Sequence, residues 1–93
     1  MKEREKNLER KLDSSLKSIG GLCLKLPSIH ISGLPDRMCL FPEGRILFVE
    51  VKSTGMKPRK IQKVIHDKLR KLGFDVEILD STEKLNQIMK DYE

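Results

Sequence analysis

The stretch Gly33-Leu-Pro-Asp-Arg-Met-Cys-Leu-Phe-Pro-Glu-Gly-Arg-Ile-Leu-Phe-Val-Glu-Val-Lys52 decides how this chain folds. Arg37 to Phe41 reads as one strand and Arg45 to Lys52 as the next, and Pro42-Glu43-Gly44 is the turn between them. Ile46 to Val49 is apolar at every position, as in a central strand covered on both faces. Yet that strand ends in Glu50-Val51-Lys52. Charge at the end of a buried strand costs free energy unless something compensates it.

The turn sets the geometry of those charges. As a three-residue hairpin loop it pairs Phe41 with Arg45, and Asp36 then falls opposite Glu50 on the same face. Side chains alternate along a strand, so Glu50 and Lys52 share that face, roughly 7 Å apart at about 3.3 Å of rise per residue. Two opposed carboxylates repel. A divalent cation turns that liability into a site, because hard cations such as Mg²⁺ take oxygen ligands. A four-residue loop would slip the pairing by one and put Asp36 opposite Val51.

Outward from this core, residues 3 to 18 read as a helix with Leu8, Leu12, Leu16 and Ile19 on one stripe, stopped by Gly20-Gly21. Leu22 to Leu26 reads as a strand closed by Pro27, and residues 28 to 35 as a loop. After the polar segment 53 to 57, Pro58 suits the first turn of a helix running to Leu72. Ile61, Val64, Ile65, Leu69 and Leu72 form its expected buried face, with His66 on the surface. Phe74 to Leu79 reads as a fourth strand. Asp80 and Glu83 have capping-box spacing for a last helix ending near Lys90. The fold class is therefore α/β, in the order α-β-β-β-α-β-α: a mixed sheet flanked by helices, with strands 45–52 and 74–79 parallel across a β-α-β crossover.

The chain has 93 residues and reads as a single domain, 1–93. A core of this size is modest, so self-association is expected to add stability. Its net charge is +5, from 19 Lys and Arg against 14 Asp and Glu, which favours a polyanionic partner, nucleic acid first. No apolar run is long enough to span a bilayer. The charged start, Met1 to Lys6, has no apolar signal segment after it, which points to the cytoplasm. Cys23 and Cys39 lie inside apolar runs and read as small core side chains in a reducing compartment.

Further candidates gather around the charged strand end. On a helical wheel at about 100° per residue, Glu9 lies roughly 20° from Leu16, at the edge of the apolar stripe and facing the sheet. Lys52, beside a divalent ion, suits orienting or deprotonating an attacking water, or stabilising phosphorane charge. Lys57, Arg59 and Lys60 precede or open a helix, where phosphate contacts are favoured. Gln62 lies in that helix's first turns, within reach of the same charges. His30, in the loop before Asp36, is a weaker candidate for a phosphate contact.

Glu9, Gly33-Leu34-Pro35-Asp36, Glu50-Val51-Lys52 and Gln62, in this order, resemble the VRR-NUC domain of the PD-(D/E)xK nuclease superfamily. The resemblance covers the chain from about Glu5 to Ile88. It implies a sheet core of restriction-endonuclease type and a metal-dependent phosphodiesterase acting on DNA. It assigns Glu9, Asp36, Glu50 and the Val51 carbonyl to Mg²⁺ or Mn²⁺, and Lys52 and Gln62 to catalysis beside Asp36 and Glu50. Small stand-alone members, found in phages and bacteria, look like dimeric Holliday-junction resolvases. The resemblance thus implies a homodimer, a branched-DNA substrate and, for a phage-encoded chain, the bacterial host's cytoplasm. The rival reading is a non-catalytic basic module that binds nucleic acid through the same cationic surface. Against it stands the carboxylate cluster, which repels phosphate. An RNA-directed nuclease fits the same residues.

Overall fold

The computed structural model describes residues 2–27 and 29–93. Ser28, the first residue of the loop read over 28–35, and Met1, the start of the domain read over 1–93, lie outside the described residues. Helix α1 (Glu5–Ser18) leads into β1 (Leu22–Lys25) and β2 (Arg37–Phe41). A short turn at Pro42–Gly44 leads to β3 (Arg45–Val51). Then come α2 (Lys60–Lys71), β4 (Asp75–Leu79) and α3 (Thr82–Asp91). The four strands form one sheet in the order β1-β2-β3-β4. β1 pairs antiparallel with β2 and β2 with β3, whereas β3 and β4 are parallel. This is the mixed sheet and element order that the sequence pattern predicts.

The decisive register is the one the three-residue turn requires. Phe41 pairs with Arg45 and Arg37 with Val49, so continuing the ladder brings Asp36 opposite Glu50. The chain reverses here through two consecutive left-handed residues, Glu43 at φ 70° and Gly44 at φ 76°.

Alternation along β3 divides its side chains between two layers. Leu47, Val49 and Val51 join Cys39 and Phe41 of β2 and Leu79 of β4 in the main core, against Leu8, Leu12 and Leu16 of α1 and Leu85 and Ile88 of α3. Glu50 points to the opposite layer, where it meets α2. There, Phe48 packs edge-on against Phe74, with ring centroids 5.6 Å apart.

Two local readings are corrected. The face of α2 that packs inward carries Gln62 and His66, whereas Ile61, Val64 and Leu72 are exposed at 45%, 57% and 68%. Helix α2 lies over the polar end of β3, so its two buried residues face Glu50, and of the expected apolar face only Ile65 and Leu69 are half-buried. The cap of α3 is Ser81, whose hydroxyl accepts from the Lys84 N–H at 3.1 Å, in place of the Asp80–Glu83 box. Asp80 is engaged through its carbonyl, which accepts from the Thr54 hydroxyl.

The N-terminal segment closes the molecule. The Glu3 carboxylate accepts from Lys11 Nζ at 2.7 Å, from the Thr82 N–H at 2.6 Å and from the Thr82 hydroxyl. Its backbone exchanges hydrogen bonds with Thr54. These donors hold the Glu3 carboxyl down from 4.5 to about 2. A depressed carboxylate contributes stability above its unfolded-state value and loses it as pH falls toward the folded one. Glu3→Gln is therefore expected to lower the thermal midpoint at pH 7. The gap to the parent protein should close between about pH 4.5 and 2, read from melting curves across that range.

Candidate active site

Glu50 is only 1% exposed, an unusual place for a carboxylate. Its Oε2 accepts from Gln62 Nε2 at 2.9 Å and lies 3.2 Å from Lys52 Nζ. Burial, and then the charge of Asp36, push its carboxyl above the ordinary carboxylate value, while Lys52 and Gln62 pull the other way. Asp36 is fixed separately: its Oδ2 accepts from the Val51 N–H at 2.9 Å, and its carbonyl accepts from Leu26 N–H. The strand pairing thus continues past Arg37 through a side chain. The main chain of Val51 is held to Asp36, while the Val51 side chain belongs to the main core.

Gln62 has both ends of its amide assigned. Its Oε1 accepts from the N–H of Arg59, the residue before α2, at 2.8 Å, and its Nε2 donates to Glu50. One amide therefore satisfies an otherwise orphaned donor at the helix start and orients a buried carboxylate. A groove of about 560 Å³ opens beside this network, between Ser32–Leu34, Asp36 and the start of α2, with Arg59 and Gln62 in its wall. Lys57, Arg59 and Lys60 are exposed around that helix start, and His30 is exposed in the loop.

Asp36, Glu50, Lys52 and Gln62 are thus brought together. Glu9 is not. Its Oε2 lies 3.4 Å from the Arg37 guanidinium, which also reaches Asp13 at 3.9 Å. Arg37 is paired with Val49, so it lies on the layer that α1 covers, opposite the one Glu50 faces. Among the described residues, no group of three or more His, Cys, Asp or Glu side chains is placed to hold a metal ion. Cys39 is buried and Cys23 half-buried, with sulfurs 3.8 Å apart as free thiols.

His66 is the residue that sequence reading placed wrongly. It is 1% exposed, with Nε2 3.9 Å from Glu50 Oε1. Burial pushes its imidazole below the ordinary value. The signal was its spacing: four residues after Gln62, it shares that residue's helix face.

Asp36→Asn isolates the electrostatics. Asparagine keeps an oxygen for the Val51 N–H and removes the negative charge beside Glu50. The metal-free thermal midpoint should rise by roughly 4–8 °C, the shift that about 1 kcal/mol of relieved repulsion produces in a domain of this size. Scanning calorimetry in the presence of a chelator measures it.

No family model matches the chain. It is 42% identical over 78 residues to "Putative nuclease p44" of Acyrthosiphon pisum secondary endosymbiont phage 1, covering 84% of each chain. A solved structure described as "VRR_NUC domain" superposes with a TM-score of 0.90 at 31% identity, covering 96% of this chain and 97% of that one. The chain belongs to the VRR-NUC family. This VRR-NUC chain is a nuclease, and Asp36, Glu50, Lys52 and Gln62 cluster at one end of its sheet. Among the described residues, no helix is long and apolar enough to cross a membrane.

Proposed function

We propose that the protein is a divalent-metal-dependent DNA endonuclease, a single VRR-NUC domain that hydrolyses phosphodiester bonds at Asp36, Glu50 and Lys52. The observation that carries this reading is the buried Glu50 carboxylate, which keeps Oε1 unpartnered while Oε2 is held by Gln62 and Lys52. A free carboxylate oxygen next to a second carboxylate suits Mg²⁺ or Mn²⁺. Asp36, Glu50 and the Val51 carbonyl would hold the ion, and Glu9 would join them only by leaving Arg37. Such an ion supplies neutralisation of a phosphate oxygen and acidification of water.

The chain's own groups do the rest. An ammonium has three donors. Lys52 directs one toward Glu50, leaving the others for the attacking water and for charge that develops on the phosphoryl oxygens. Gln62 anchors the Oε2 end of the Glu50 carboxylate. Arg59, with Lys57 and Lys60, contacts the DNA backbone along the groove. Water adds to phosphorus as the bond to the leaving sugar oxygen breaks; the attacking water gives up a proton to solvent, and the leaving oxygen takes one from solvent to become a hydroxyl.

The working unit is a homodimer that acts on branched DNA in the cytoplasm, that of the bacterial host if the chain is phage-encoded. The exposed Ile61, Val64 and Leu72 on the outer face of α2 support a second copy as the partner. The monomer leaves this apolar stripe in water, and a cationic chain needs more surface to hold a junction.

The test is a panel of linear and branched DNAs with and without Mn²⁺, run beside Glu50→Ala and a solution mass. The parent protein should cleave only with the ion and weigh twice its 10.8 kDa monomer. Glu50→Ala should be folded and inert. Cleavage by a clean Glu50→Ala preparation at the parent rate overturns the catalytic reading. Salt-sensitive binding without product would identify a binding module.

A further inference from the structure

Among the described residues, three buried side-chain polar atoms have no hydrogen-bond partner: Arg37 Nε, Glu50 Oε1 and His66 Nε2. Two of them face each other. Glu50 Oε1 and His66 Nε2 are 3.9 Å apart, and their side chains are 1% and 2% exposed. A buried polar atom without a partner costs about 1–3 kcal/mol. Two such atoms of complementary chemistry, about 1 Å farther apart than in a typical N–H···O bond, mark a contact that a small shift would make.

The placement follows from the helix. His66 comes one turn after Gln62, so both side chains leave the same face of α2 and descend on the same carboxylate. Gln62 takes Oε2 and His66 faces Oε1. An ionised carboxylate only accepts, so the ring atom that meets it must carry a proton. Each carboxylate oxygen has two lone-pair directions. Gln62 and Lys52 already occupy Oε2, and a single hydrogen bond from His66 to Oε1 still leaves that oxygen one direction free for an ion.

We propose that His66 is a positioning residue for Glu50: its Nε2–H holds Oε1 while Gln62 holds Oε2, so that α2 fixes the rotation of the carboxylate that receives the ion. The inference deepens the nuclease reading and rests on it for the ion's identity. Gln62 alone leaves the carboxylate free to swing about the Oε2 contact. The second donor, one helical turn away, removes that freedom. On the same stripe Ile65 and Leu69 are half-buried, while Gln62 and His66 are the buried residues of α2.

The first measurement is nitrogen NMR of the metal-free protein, which reads which ring nitrogen of His66 bears the proton. The proposal requires a proton on Nε2, slow to exchange, whose signal shifts in Glu50→Gln. A neutral ring carrying its only proton on Nδ1 overturns it. This readout needs neither metal nor activity, and it stands if a variant fails to fold.

The second measurement is Mn²⁺ affinity by calorimetry, with cleavage kinetics alongside, for His66→Leu and His66→Gln. Leucine fills the space without a donor, and glutamine returns an N–H close to the Nε2 position. His66→Leu should weaken Mn²⁺ binding and lower kcat by about 10–100-fold, the effect typical of groups that orient metal ligands. KM for DNA should stay unchanged. His66→Gln should recover to within a few-fold of the parent. Parent-like Mn²⁺ affinity in folded His66→Leu, with Glu50→Ala losing it, overturns the positioning role and leaves the nuclease reading intact. Equal impairment of the Leu and Gln variants reduces His66 to a packing residue and also overturns it.

Discussion

Lys52→Ala is expected to cut the DNA cleavage rate by about 10³-fold, the upper end for loss of one donor aimed at developing charge in a sheltered site. The side chain is 16% exposed, and its Nζ is 3.2 Å from Glu50 Oε2. Alanine removes the cation paired with Glu50 and the donors left over for the phosphoryl group. The fold should hold, because Gln62 still bonds the same oxygen. Lys52→Arg should rescue poorly: a planar guanidinium cannot occupy the position of a compact ammonium between two partners. Single-turnover cleavage at saturating Mn²⁺ reads both variants. A Lys52→Ala rate within tenfold of the parent would remove Lys52 from the reaction.

Gly33→Ala should destabilise the protein by about 2–4 kcal/mol, combining left-handed backbone strain with forced overpacking. Gly33 holds φ +88°, and a Cβ there would stand 2.6 Å from the Ile61 carbonyl oxygen and 3.1 Å from the Ile65 side chain. The first of these is helix backbone, which cannot yield as a flexible side chain can. The loop before Asp36 and the first turn of α2 touch at this point, so pushing them apart also widens the groove between Asp36 and Gln62. Urea unfolding measures the loss. An unchanged midpoint would mean that loop and helix are not locked together.

The sheet was legible because its determinants are local. Turn length and period-two alternation fix the β2–β3 register, and that register carries Asp36 to Glu50. The facing of α2 was not legible, because apolar periodicity assumes that a helix buries its apolar residues. Here the helix covers a carboxylate, and Gln62 and His66 take the inward positions. Ile61 and Val64 pattern correctly for a helix and still point outward. The wheel angle of Glu9 told how far round α1 it lies but not which strand residue meets it. That residue is Arg37, whose guanidinium holds the carboxylate on the other side of the sheet from Glu50. The offset at α3 is smaller. Asp80 and Ser81 are both good caps, and it is Ser81, with an extended backbone, whose hydroxyl reaches the Lys84 N–H.

The bonds from Glu3 to Thr82 span 79 residues of chain. Contacts that distant form only after the segment from Glu3 to Thr82 has been made. The hairpin and the β3–α2–β4 unit that carry Asp36, Glu50, Lys52 and Gln62 need no such wait. The half that carries the candidate site can therefore assemble first during synthesis, and the first turn of α3 locks on later by reaching back to Glu3.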